Sequence, residues 1–250
     1  MSLVLEERGG AFWIGLARPP VNVLDVPTIE AISAALASLP ERRDLKAVVF
    51  HSSLPGVFSA GVEVRDHARD RVATMLSTFH ALLLLLDRLP QATIAAVDGP
   101  CLGGGCELAA FCDILLASPR AEFGQPEIDL GCFPPVASVL LPRLVGRVSA
   151  ALILGGERIG AAEALRIGLV TAVVEDLEAA TAAWAARLAA KSGAALALAR
   201  RSLREGAQGS FADALARAER RYREEMAVTE DAEEGVRAFL EKRPPRWRDR

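Results

Sequence analysis

The sequence predicts an α/β layered core followed by a helical tail. Three observations carry this expectation. Short apolar runs alternate with helix-period segments up to about Gly131. A run of three glycines joins a buried-strand pattern to an apolar helix pattern, and from Leu177 onward the chain becomes Ala-, Arg- and Glu-rich at helical spacing. Strand, crossover, strand is the order of an α/β core, because each sheet face has to be covered by helices.

The elements follow in order. Leu3–Glu7 and Phe12–Ala17 flank Gly9 and Gly10 and read as a hairpin. Residues 28–39 carry apolar residues at helical spacing and stop at Pro40. Residues 46–51 (KAVVFH) read as a buried strand. Residues 66–89 read as one long helix, with Asp66 as its cap and Pro90 beyond its end. Residues 93–97 (TIAAV) form a second buried strand, followed by the glycine turn and a helix over about 104–112. Residues 114–117 form a third strand. Residues 161–167 read as a short helix closed by Gly168, and 169–174 as a last strand. The tail breaks near Gly193, Gly206–Gly209 and Asp231; it is too polar for a second core and reads as helices packed on the core or on a partner subunit.

Composition narrows the functional classes. The 250 residues are 51% hydrophobic and 24% charged, enough to bury a sizeable core and too apolar for disorder. A net charge of -3 argues against a nucleic-acid partner. Lysine occurs only at Lys46, Lys191 and Lys242; arginine carries the remaining positive charge and suits anionic ligands. The N-terminal residues lack a basic segment followed by an apolar stretch, and the most apolar run, Ala81 to Leu86, is far too short to cross a bilayer. A cytoplasmic protein without a membrane partner is expected. Cys101, Cys106, Cys112 and Cys132 lack metal-ligand spacing and are expected as buried free thiols, with no metal. His51, His67 and His80 match no motif.

Three stretches could carry chemistry. In residues 58–63 (FSAGVE), small residues after a strand let backbone approach a ligand closely. In residues 98–107 (DGPCLGGGCE), a helix start offers unpaired N–H groups and partial positive charge to an oxyanion. The spacing fits neither a dinucleotide fingerprint nor a Walker loop. Glu107 falls in the first turn of that helix. In residues 123–128 (FGQPEI), Pro126 begins a new helical turn that carries Glu127. Each glutamate could equally be a surface residue complementing a helix dipole, and spacing alone does not show that the two meet.

Taken together and in order, these stretches resemble the enoyl-CoA hydratase/isomerase, or crotonase, family. Further matching segments are residues 16–24 (LARPPVNVL), 95–99, 142–146 (PRLVG), 161–170 and 239–243 (FLEKR), so the resemblance spans nearly the whole chain. It implies a ββα spiral core over residues 1–190 and a C-terminal helical trimerisation region over 191–250, giving a homotrimer or a homohexamer. It implies that the backbone N–H groups of Val62 and Gly104 hold the thioester oxygen. Glu107 would be the general base toward water, and Glu127 would deliver a proton to the α-carbon. The acyl-CoA would lie along Val21, Val23, Leu24, Ala60, Gly61, Glu63 and Val64, with Gly103, Pro126, Phe133 and Pro134 completing the acyl site. Coenzyme A is then part of the substrate, and no cofactor is implied.

The chain departs from the family pattern in two places. Residues 131–141 (GCFPPVASVLL) replace the usual glycine-rich loop and are one residue shorter, and Glu63 stands where the family more often has Asp. Residues 59–64, Asp66, His67 and the Phe133-Pro134-Pro135 run are similar to the branch of the family that hydrates cyclic dienoyl-CoA thioesters in aromatic-acid degradation. A rigid, bulky segment suits a compact ring better than a flexible chain. Because both glutamates are present, a hydratase is expected. A double-bond isomerase, which needs one well-placed carboxylate, and a non-catalytic scaffold are the alternatives.

Overall fold

The computed structural model describes residues 2–206 and 208–250. Strands β1 (Leu3–Arg8) and β2 (Ala11–Leu16) form the expected antiparallel hairpin. Strands β3 (Ala47–Ser52), β4 (Ala92–Val97), β6 (Ile114–Ala117) and β9 (Ala172–Val173) then add in parallel, in the order β1-β2-β3-β4-β6-β9. All six residues of β4 are buried, as a central parallel strand covered on both faces requires.

Three three-residue strands, β5 (Pro100–Leu102), β7 (Glu122–Gly124) and β8 (Arg158–Gly160), build a second sheet that the sequence pattern did not predict. Such short strands carry no readable alternation. This sheet positions the site: β5 leads into helix α3 (Gly104–Phe111), and β7 leads into the 3₁₀ turn Pro126–Leu130.

The long helix expected over 66–89 is two elements. A 3₁₀ turn spans Val64–His67, and helix α2 runs Val72–Arg88 with Arg71, not Asp66, at its cap position. Helix α1 spans Val26–Leu36, two residues earlier at its start than the spacing predicts, because Asp25 caps it by accepting from Thr28 N–H at 3.0 Å. The last strand contracts to the two residues of β9. The four cysteines are free, but only Cys101 and Cys106 are fully buried; Cys112 and Cys132 are partly exposed.

Helices α4 (Pro135–Val145), α5 (Val148–Leu154), α6 (Ala161–Arg166) and α7 (Leu177–Ala189) close over the sheets, and α8 (Gly193–Gly206), α9 (Phe211–Arg221) and α10 (Glu230–Leu240) form the tail. An ion cluster built on the buried Arg200 and the partly exposed Asp113 and Arg204 fixes the tail to the core. Arg200 on α8 donates to Asp113 Oδ2 at 2.6 Å and to the carbonyls of Leu86, Asp87 and Leu89 at the end of α2. Its guanidinium therefore satisfies the Asp87 and Leu89 carbonyls at the helix end and adds a second donor to Leu86 O, which also accepts from Leu89 N–H at 3.4 Å. Arg204 pairs with the other oxygen of Asp113 at 2.7 Å. These two cations hold the Asp113 carboxyl below the usual carboxylate range against the opposing effect of burial, which is the largest single influence on it. No helix among the described residues is long and apolar enough to cross a membrane.

Candidate active site

The first expected oxyanion donor sits where two backbones meet. Leu24 pairs with Val62 in an isolated parallel bridge: Leu24 N–H donates to Gly61 O at 2.8 Å and Glu63 N–H donates to Leu24 O at 3.2 Å. Alternation along an extended backbone then turns the Val62 N–H away from Leu24, and it has no hydrogen-bond partner among the described residues. Asn22 holds this segment in place. Its Nδ2 donates to Phe58 O at 3.0 Å, its Oδ1 accepts from Arg18 N–H at 2.8 Å, and its own carbonyl accepts from Ser59 Oγ at 2.7 Å.

The second donor is the first residue of α3. The Gly104 N–H lacks a partner among the described residues, as expected at a helix start, while Glu107 N–H closes the first helical bond to Gly103 O at 2.9 Å. Two glycines make the close approach possible. Gly103 has φ +52, and a Cβ there would lie 2.7 Å from Glu127 Oε1; a Cβ on Gly104 would lie 2.5 Å from Val62 Cγ2 and 3.5 Å from Val62 N. The α3 start, the Val62 strand and the Glu127 carboxyl group thus converge on one point.

Both glutamates open onto a single cavity of about 410 Å³. Ala60, Gly61, Val62, Val64, Gly103, Gly104, Pro126, Phe133 and Pro134, all expected on sequence grounds, also line it. Helix α2 contributes Val72, Met75, Leu76, Phe79 and His80, the spacing of one helical face. Val21, Val23, Leu24 and Glu63 are not among the lining residues. The Leu24 side chain lies fully in the core and its backbone is spent on Gly61 and Glu63, so it holds the Val62 segment and does not face the cavity. Val21 and Val23 remain at the surface beside it, and Glu63 caps the Val64–His67 turn by accepting from Arg65 N–H at 3.4 Å.

The two carboxyl groups differ in setting. Glu107 is 4% exposed, and its Oε1 accepts from Ala137 N–H at 2.7 Å in the first turn of α4. Burial pushes its pKa up to about 7; the Ala137 N–H opposes this and the Glu127 charge adds to it. Glu127 is half-buried. Its Oε2 is buried without a hydrogen-bond partner among the described residues. Burial raises its pKa too, opposed by its own backbone N–H and by the charge of His67. His67 and His80, assigned no role from sequence, both line the cavity; a lone histidine in a helix-like pattern gives no spacing signal by which to find it. No cluster among the described residues could hold a metal ion.

Two amides without partners among the described residues, at a cavity that also holds one buried and one half-buried carboxyl group, define an α/β protein equipped to polarise a carbonyl and move protons beside it. The chain belongs to the enoyl-CoA hydratase/isomerase family, whose model matches residues 6–250. It is 41% identical to the cyclohexa-1,5-dienecarbonyl-CoA hydratase of Thauera aromatica, covering 98% of this chain and 96% of that one. It is 31% identical to the mitochondrial methylglutaconyl-CoA hydratase of Rattus norvegicus, covering 97% and 81%. The crystal structure of enoyl-CoA hydratase from Bacillus anthracis superposes with a TM-score of 0.95 at 29% identity over the full length of both chains. The fold is the α/β crotonase fold with C-terminal helices.

Proposed function

We propose that this chain is a hydratase that adds water across the α,β double bond of an acyl-CoA thioester. The observation that carries the reading is the convergence of Glu107, Glu127 and the free Val62 and Gly104 amides on one cavity. The oxygen of water adds to the β-carbon and the alkene electron pair moves onto the thioester oxygen, forming an enolate. Each main-chain donor aimed at that oxygen stabilises it by about 3–4 kcal/mol. One carboxylate takes the proton that water releases, and the other carboxyl group delivers a proton to the α-carbon. The family resemblance gives the first role to Glu107 and the second to Glu127. Burial brings both groups toward the neutral range, where a side chain can serve as acid and as base.

For the acyl group we favour a cyclic dienoyl thioester. The relative from Thauera aromatica carries that substrate in its name. In this chain Phe133, Pro134, Met75, Leu76 and Phe79 line the cavity, an apolar wall suited to a flat ring. The test compares kcat/KM for cyclohexadienoyl-, cyclohexenoyl- and crotonyl-CoA. The reading requires the cyclic diene to lead, and a crotonyl-CoA preference of tenfold or more would replace it with a general enoyl-CoA hydratase.

Residues 191–250 are proposed as the subunit contact. Leu203, Phe211, Tyr222, Phe239 and Leu240 are each at least 66% exposed, more apolar surface than a lone helical tail leaves in water. Light scattering should give a trimer or hexamer, and a monomer at micromolar concentration would refute this.

A further inference from the structure

The Val62 and Gly104 amides belong to two separate stretches of chain, and Ser59 bonds to both stretches. Ser59 is fully buried and forms an isolated parallel bridge with Cys101. Its hydroxyl accepts from Gly61 N–H at 3.1 Å and donates to Asn22 O at 2.7 Å. The bond to Gly61, two residues on, closes a serine turn. Ala60 N–H is held by Val21 O at 2.9 Å and Gly61 O by Leu24 N–H at 2.8 Å, so the backbone leading to the Val62 amide is pinned residue by residue.

The same serine holds the start of α3. Its carbonyl accepts from Leu102 N–H at 2.9 Å, and Gly103 N–H donates to Gly124 O at 3.0 Å. Gly104 is then the first residue of this run whose N–H has no partner among the described residues. Gly105 lies against the Ser59 side chain: a Cβ there would stand 2.6 Å from Ser59 Cβ and 2.7 Å from its Oγ. Gly61 completes the contact, with φ +101 and a Cβ position 3.5 Å from Gly104 N.

We propose that Ser59 is a positioning residue that sets the spacing and aim of the two oxyanion-binding amides. It acts through Gly61 on one donor and through Leu102 and Gly105 on the other. The inference deepens the hydratase reading and rests on it for its catalytic meaning. Two donors act together only when both N–H groups reach the one oxygen on which charge develops, and a misplacement of about 1 Å can cost about a hundredfold in rate. Ser59→Ala removes the hydroxyl that joins Gly61 N–H to Asn22 O, and with it the bond that closes the turn before Val62.

The test reads the amides without turnover. Butyryl-CoA labelled with ¹³C at its thioester carbonyl has no double bond to hydrate. Infrared difference spectra of its complex with the protein report how strongly that carbonyl is polarised. In wild type the carbonyl band should move to lower wavenumber on binding, and in Ser59→Ala it should return toward its position in free solution. In the same variant kcat for an enoyl-CoA should fall by about tenfold to a hundredfold while KM stays within about twofold. Gly105→Ala presses on the same contact from α3 and should move the band in the same direction, which carries the test should Ser59→Ala not fold. Thr93→Val removes another buried hydroxyl, bonded to Asp113 at 2.9 Å, and should lower the urea midpoint with the band unmoved. The proposal is overturned if the band does not move in wild type, if it moves equally in wild type and Ser59→Ala, or if Thr93→Val changes it as much as Ser59→Ala does. A wild-type band shift without hydration of any enoyl-CoA would instead refute the hydratase reading and leave the role of Ser59 standing.

Discussion

Replacing Glu107 by Gln removes a buried charge while keeping the shape of the side chain, and it should stabilise the fold as it disables the site. Burial raises the Glu107 pKa from an ordinary 4.5 to about 7. A carboxyl group whose pKa is raised on folding binds its proton more tightly in the folded chain. Its contribution to stability is therefore fullest below pH 4.5, declines as pH rises through the window from 4.5 to 7, and is constant above it. Each unit corresponds to about 1.4 kcal/mol, so the folded chain carries a penalty of about 3 kcal/mol at pH 8 for holding Glu107 ionised. Gln has no charge to bury, and its Oε1 can still accept from Ala137 N–H. Glu107→Gln should gain up to about 3 kcal/mol at pH 8 and nothing at pH 4. Turnover of an enoyl-CoA should fall by roughly two orders of magnitude or more, the range for loss of an acid–base group. Urea unfolding at both pH values, at fixed protein concentration so that subunit association is constant, measures the difference. A variant no more stable than wild type at pH 8, or equally stabilised at both pH values, would refute burial as the cause of the raised pKa.

Three further substitutions probe other parts of the account. Gly104→Ala places a Cβ 2.5 Å from Val62 Cγ2 and should push the two amides apart, lowering kcat by about 10²–10³ with an unchanged circular dichroism spectrum. Arg200→Met leaves Asp113 with one cation and strips the Asp87 and Leu89 carbonyls of their donor; urea midpoints should report a loss of about 2–3 kcal/mol, the range for unsatisfied buried polar groups. Phe133→Ala removes an apolar lining side chain of the cavity and should shift the kcat/KM ratio of cyclic to linear enoyl-CoA toward the linear substrate by about 10- to 200-fold, the range for changes in apolar pocket contacts.

Much of the layered core was legible because its strands are continuous apolar runs, as at 47–52 and 92–97, and because the glycines at 103–105 interrupt the pattern where the chain must turn. The positions of Glu107 and Glu127 on helical first turns were legible too. Their meeting was not. It depends on β5 and β7 pairing side by side, three residues each, which brings Gly103 against the Glu127 carboxyl group. The start of α2 was misplaced because Asp66 is a good capping type; its own turn is a separate 3₁₀ element that ends at His67. His67 entered only through the family resemblance and His80 not at all, because a cavity gathers side chains from elements far apart in the chain and neither histidine sits in a local chemical motif. The Arg200–Asp113 pair spans 87 positions and leaves no local pattern at all.

The central claim is that solvent oxygen is added to an enoyl thioester inside this cavity. Incubation with cyclohexadienoyl-CoA in H₂¹⁸O, followed by mass spectrometry of the product, tests it directly. One ¹⁸O should appear in a new hydroxyl group, with incorporation lost in Glu107→Gln and Glu127→Gln. An unlabelled product with only its double bond moved would contradict it.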